Sequence, residues 1–115
     1  ADITLLLKTV SWMEKNIIEI DSEDKTKAVW STAINEDTDI NQAKLGGTAL
    51  TIIALLEVQK VYPNYTNDNL IKSLGNFLLY MQKENGAFYS RYIPQYGGRT
   101  DLNYSVFCVK EETCR

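Results

Sequence analysis

Apolar residues recur at steps of three and four from the start of the chain. Ile3, Leu6, Val10, Met13 and Ile17 fall on one helical face, with Lys8, Glu14 and Lys15 turned away. Leu5 and Trp12 widen that stripe. The polar run Asp21-Ser22-Glu23-Asp24 predicts the end of this helix and offers caps for a next one. From Lys25 to Ile34 the pattern is weaker, and a short helix or an irregular buried segment both satisfy it. Asn35-Glu36-Asp37-Thr38-Asp39 is polar and acidic, which marks a loop.

The clearest helical pattern follows, from about Ala43 to Val61. Leu45, Ala49, Ile52, Ile53 and Leu56 repeat at helical spacing, while Leu50 and Leu55 carry apolar character round the cylinder. A helix of that kind is expected to be buried on several sides. Gly46-Gly47 in its first turn is costly in propensity; close helix–helix approach explains it, as does a backbone N-terminus left open to a ligand. Tyr62-Pro63-Asn64-Tyr65 stops the helix because proline cannot continue it. Asn67 or Asp68 can cap the next, whose stripe is Leu70, Leu74, Phe77, Leu78 and Met81. Glu84-Asn85-Gly86 ends that helix with residues that tolerate a left-handed C-terminal cap. Two amphipathic helices with a short connection form an antiparallel hairpin, so the chain reads as all-α, built from helical hairpins.

Beyond Gly86 the character changes. Phe88 to Arg99 is aromatic and rich in turn residues, a type of long loop that is functional or packed across a surface. Its tyrosines Tyr89, Tyr92 and Tyr96, with Arg99 and the later Tyr104, suit a sugar-binding wall. Flat rings stack on pyranose faces, and hydroxyl or guanidinium groups hydrogen-bond sugar hydroxyls and carboxylates. A loop that merely covers helix ends, its tyrosines half-buried, satisfies the same residues.

Composition narrows the chemistry. The chain has 115 residues, no histidine and a net charge of −3. Its basic residues are scattered singly, so no footprint for nucleic acid is present. Without histidine, Ser-His-Asp and Cys-His catalysis and every His-containing zinc site are excluded from within the chain. Cys108 and Cys114 lack the spacing and number of a metal site, and the acidic loop lacks the glycine and distant glutamate of a calcium hand. No metal or cofactor is expected. The longest apolar stretch is too short to span a bilayer. The compartment is left open.

Two elements carry a resemblance. Phe77-Leu78-Leu79-Tyr80-Met81-Gln82-Lys83-Glu84-Asn85-Gly86-Ala87-Phe88 sets a glutamine at a helix end, then three residues, a glycine, one residue and an aromatic. Lys44-Leu45-Gly46-Gly47-Thr48-Ala49-Leu50 opens an aliphatic helix. In this order they resemble the hairpins of α/α toroid proteins of the six-hairpin glycosidase type. The resemblance implies that residues 1–115 form one helical domain or a segment of a larger toroid. A closed toroid exceeds the size of a single small domain, so a free-standing piece would have to cover its faces by self-association. Phe107-Cys108-Val109-Lys110-Glu111 stands where such toroids carry a Pro-Gly turn and a glutamate, and Glu111 matches the glutamate alone.

The functional expectation follows from that resemblance. Toroid glycosidases, lyases and epimerases work where loops gather at one end of the inner helices. Hydrolysis needs two carboxyl groups roughly 5–10 Å apart, and Asp101 and Glu111 are the candidate catalytic pair. Tyr89, Tyr92, Tyr96, Arg99 and Tyr104 would position a carbohydrate. Lyase chemistry would use a tyrosine as acid or base, with arginine neutralising a uronate. The alternative is a non-catalytic module that binds protein or glycan and self-associates.

Overall fold

Helix α1 (Ile3–Glu14) stops a turn before the apolar spacing predicts. The computed structural model describes residues 3–31 and 42–101. Asn16 is buried just past the helix end, where its side-chain amide donates to the Trp12 carbonyl at 2.9 Å and its backbone N–H to that of Met13 at 3.0 Å. An asparagine that bonds the preceding backbone competes with helix continuation. Ile17, Ile18 and Ile20 then favour an extended strand, being β-branched. They belong to β1 (Ile17–Asp21), which pairs antiparallel with β2 (Thr26–Val29) in the register Ile17–Val29, Ile18–Ala28 and Glu19–Lys27. Asp21-Ser22-Glu23-Asp24 is therefore the turn of a β-hairpin. The Asp21 carboxylate accepts from the Glu23 and Asp24 amides at 2.9 and 3.1 Å, and Lys25 completes the reversal at φ +53°.

Past the hairpin, Trp30 bridges to Ala43, so the first sheet leads into the second. There β3 (Ala43–Lys44), β4 (Arg91–Ile93) and β5 (Gly98–Thr100) form a three-stranded antiparallel sheet with β4 in the middle. The tyrosine-rich segment is thus a hairpin, its strands joined by a 3-10 turn at Pro94–Tyr96 and by Gly97 and Gly98 at φ +94° and +114°. Between these sheet pieces run α2 (Leu45–Val61) and α3 (Asp68–Tyr80). Asn67 caps α3, accepting from the Leu70 amide at 3.4 Å.

These strands overturn the all-α expectation and the toroid-type architecture it implied. The chain is mixed α/β, with three α-helices and two antiparallel sheets among the described residues. Ile17 kept the helical phase of the preceding stripe, and β3 to β5 are too short to show an alternation of their own. The acidic run Asn35–Asp39 and both cysteines lie outside the described residues.

The core is organised by α3. Leu70 and Leu74 pack with Val10 of α1 and Leu55 and Val58 of α2. One turn on, Phe77 and Met81 pack with Ala28 and Ala43, and Ile18, Ile20, Tyr89 and Tyr92 close round them. So the stripe predicted for α3 is the buried face, with Leu78 half-buried beside it. Helix α2 behaves differently. It buries Thr48, Thr51, Leu55 and Val58, while Leu50, Ile53 and Leu56 stay exposed, so it is covered on one side and not on several. The buried threonines are bonded: Thr48 Oγ1 accepts from the Val29 amide at 3.2 Å, and Thr51 donates to the Gly47 carbonyl at 2.9 Å. Among the described residues a β-carbon at Gly46 or Gly47 would meet no atom within 4 Å, so close packing against those residues does not explain the pair.

Phe77→Ala should cost about 3–5 kcal/mol, since a fully buried ring is lost into a packed site. Leu79→Ala, two residues away but 70% exposed, should change stability by less than about 0.5 kcal/mol. Urea unfolding of the two variants measures the contrast, and equal losses would contradict this placement of the core.

Candidate functional site

The end of α3 and the start of β4 are tied together by backbone. Tyr89 N–H donates to the Met81 carbonyl at 2.8 Å, and Lys83 N–H to that of Ala87 at 2.7 Å. Gln82 closes the loop from its side chain, donating to the Gly86 carbonyl at 3.1 Å, and pairs with Phe88 in an isolated bridge. Helix α3 stops at Tyr80 with Met81 as its cap, short of the Glu84–Gly86 end expected from the sequence. Gly86 does sit at φ +92°, but in the turn enclosed by the Gln82–Phe88 bridge and not at a helix end. This closure sets Tyr80, Lys83 and Tyr89 on one rim. The β4–β5 hairpin then brings Arg99 and Asp101 to the same rim.

There the residues interlock. The Arg99 guanidinium lies 4.8 Å from the Tyr80 ring centre and 5.2 Å from that of Tyr89, and donates to the Tyr80 carbonyl at 2.5 Å. Lys83 Nζ stands 4.9 Å from the Tyr89 ring centre and also pairs with Asp101. Asp101 accepts in addition from the Ser90 amide at 3.2 Å. The Lys83 hydrogen bond, its charge and the Ser90 amide together hold the Asp101 carboxyl below the usual aspartate range, against a smaller opposing effect of desolvation. An ionised carboxylate of that kind suits a base or nucleophile and not a general acid. Its expected partner Glu111 lies outside the described residues, as does Tyr104.

Tyr92 is placed otherwise. It stands in β4 with its ring edge-on to Phe77 at 6.4 Å and to Tyr80 at 6.3 Å. Burial, aided by the neighbouring Tyr80, pushes its hydroxyl above the ordinary tyrosine range, so it stays protonated at neutral pH. A tyrosine in that state donates hydrogen bonds and does not serve as a base. Tyr96 packs against Ile93. The structure thus brings together Tyr89, Arg99 and Asp101, links Tyr92 to them through Tyr80, and sets Tyr96 apart in the turn.

Tyr80 faces two ways. Beyond it lies an open cleft of about 530 Å³, lined by Ile20, Asp21, Asp24, Asn76, Tyr80 and Tyr92 among others. One wall is the β1–β2 turn and the other is the last turns of α3 with the β4 ring. Asn76 spans the two, its amide donating to the Asp24 and Lys25 carbonyls at 3.2 and 3.3 Å. Sequence reasoning missed Asn76, Tyr80 and Lys83, although their i, i+4 and i, i+3 spacing places them in line at the helix end. It missed Asp21 and Asp24 because it read them as helix caps. A larger groove of about 770 Å³ runs between the same turn and the start of α3, but no aromatic ring lines it.

No group of three or more histidine, cysteine or acidic side chains gathers as a metal site among the described residues. Among the same residues no helix is long and apolar enough to cross a membrane. Comparison with protein-family models, with curated proteins and with solved structures finds no match to the chain.

Lys83→Gln should raise the Asp101 titration midpoint toward the ordinary aspartate range, read by carboxyl NMR. A lowered acid stabilises the fold above its unfolded midpoint and loses that contribution as pH falls through its folded one. In the wild type, then, the pair acts at neutral pH and fades on acidification, and the variant should lose this part of the acid dependence. A midpoint unmoved by Lys83→Gln would show that the ion pair does not hold Asp101.

Proposed function

We propose that the chain binds carbohydrate, in the cleft between the β1–β2 turn and the tyrosines of α3 and β4. One observation carries the reading: Tyr80 and Tyr92 line a cleft whose facing wall carries Asp21 and Asp24 of the β1–β2 turn, with Asn76 of α3 bridging to that turn. A pyranose has an apolar face and a belt of hydroxyls. Aromatic rings take the first, and carboxylates and carboxamides take the second, because each planar group can bond two neighbouring hydroxyls. The volume of about 530 Å³ lies within the range of small-ligand sites.

Charge narrows the ligand. Two aspartates on the cleft wall disfavour a uronate or sulfated sugar, so a neutral saccharide fits this side of Tyr80. Lys83 and Arg99 lie on its other side, where Asp101 and the two rings already engage them. Tyr92 lines the cleft and stays protonated, so its hydroxyl is a donor where the aspartates are acceptors. Binding is the activity for which the cleft lining offers groups, rings on one side and carboxylates on the other.

Titration of the isotope-labelled chain with a panel of neutral oligosaccharides tests this. At least one should shift the amide signals of Ile20–Asp24, Asn76 and Tyr80, and Tyr80→Ala should weaken that binding about tenfold, or ~1.4 kcal/mol. Asp101→Asn should leave it unchanged. No shifts with any neutral sugar, or binding indifferent to Tyr80→Ala, would reject the cleft as a saccharide site.

A further inference from the structure

From its open face we infer that α2 is a self-complementary interface, and that the chain pairs with a second copy of itself through antiparallel α2 helices. Leu50, Ile53, Leu56 and Val61 are 67, 55, 45 and 58% exposed, and among the described residues nothing covers them. At those fractions the four residues leave on the order of 400 Å² open, the size of the largest apolar patch on a typical monomer, which is often functional. A stable interface buries about 800 Å² on each partner. The balance is available beside the stripe. An apolar groove of about 250 Å³, where Leu6, Val10 and Met13 of α1 meet Ala54, Val58 and Val61, flanks it on one side. A shallow hollow beside Ile53, Leu56 and Gln59 extends it on the other, and the stems of Glu57 and Lys60 on the stripe add to the face.

The order of residues along the face identifies the occupant. Helix α2 has 17 residues, and Ile53 is its midpoint. Gly46, Leu50, Ile53, Glu57 and Lys60 recur at alternating steps of four and three, the spacing of a two-helix seam. A two-fold axis at Ile53 places the two copies of this isoleucine against each other. It sets Leu50 of one copy in the same layer as Leu56 of the other, Ala49 with Glu57, and Gly46 with Lys60. Each long charged side chain therefore shares a layer with a residue that leaves it room. The open space round the Gly46 β-carbon position, which no described residue fills, is occupied in this arrangement. An isologous pair requires such self-matching, because each contact occurs twice with the roles exchanged. Antiparallel packing also sets the positive end of each helix beside the negative end of its partner.

Sedimentation equilibrium of the full chain, with cysteine cross-linking, tests the inference. The wild type should show a concentration-dependent monomer–dimer equilibrium. Ile53→Asp, at an exposed position, should weaken the dimer at least tenfold while leaving the circular dichroism of the fold intact. In a chain with Cys108→Ser and Cys114→Ser, Ile53→Cys should oxidise rapidly to a disulfide-linked dimer, and Leu79→Cys, exposed on α3 outside the stripe, should not. A monomer at every concentration would overturn the inference. So would a dimer that survives Ile53→Asp, or an Ile53→Cys chain that links no faster than the Leu79→Cys control.

Discussion

The buried face of α3 is the constraint on which the other elements depend. Leu70 and Leu74 fill the space between the three helices, and Phe77 and Met81, one and two turns on, fill the space beneath both sheets. Because these side chains lie on one continuous stripe, the two halves of the core cannot shift independently. The β1–β2 hairpin packs on α3, α2 packs along it, and the backbone beyond it folds straight back through the Met81 carbonyl into β4. The cleft and the cationic rim both form at the carboxyl-terminal end of this stripe. Tyr80 is the residue that belongs to each, its ring lining the cleft and its carbonyl and ring face engaging Arg99.

Electrostatics divides the two sides of Tyr80. Toward the cleft stand Asp21 and Asp24, neither of which has an opposing cation on the cleft wall. Toward the rim stand Lys83 and Arg99, with Asp101 the only acid bonded to them among the described residues. Aromatic rings over cations occupy the rim, so its polar groups are already satisfied by one another. The cleft acids keep bonding capacity for a ligand, which is the physical reason for setting recognition there. The same reasoning removes Asp101 from an acid role without removing it from the architecture, since it fastens β5 to the α3–β4 loop.

The sequence made the long, periodic elements legible. Leu70, Leu74, Phe77 and Met81 announced α3 and its inner face correctly, Pro63 and Asn67 marked its approach, and Gly86 marked the left-handed turn. Helix α2 was equally visible as a helix, but its burial was not. A helix apolar all round reads as surrounded, and only the tertiary arrangement shows which arc is left open. The strands were hidden for two different reasons. Ile17 continued the helical phase of α1, so the stop imposed by the buried Asn16 amide had no periodic signal. Strands β3, β4 and β5 have two or three residues each, too few for an alternating pattern. The tyrosine-rich segment was recognised as special, yet its placement of Arg99 over Tyr80 depends on a hairpin register that composition cannot encode.

That register has a kinetic side. The β1–β2 hairpin and the α2–α3 pair are made from neighbouring stretches of chain, whose ends need close only short loops. Pairing β3 with β4 is different, because Gln42 and Arg91, which bond side chain to side chain at 2.6 Å, are 49 residues apart. The entropy of closing that loop is repaid only after α2 and α3 have already docked and drawn its ends together. By this argument the central strand of the second sheet, and the Tyr92 ring it carries, should form late in folding, on a scaffold that the helices complete first.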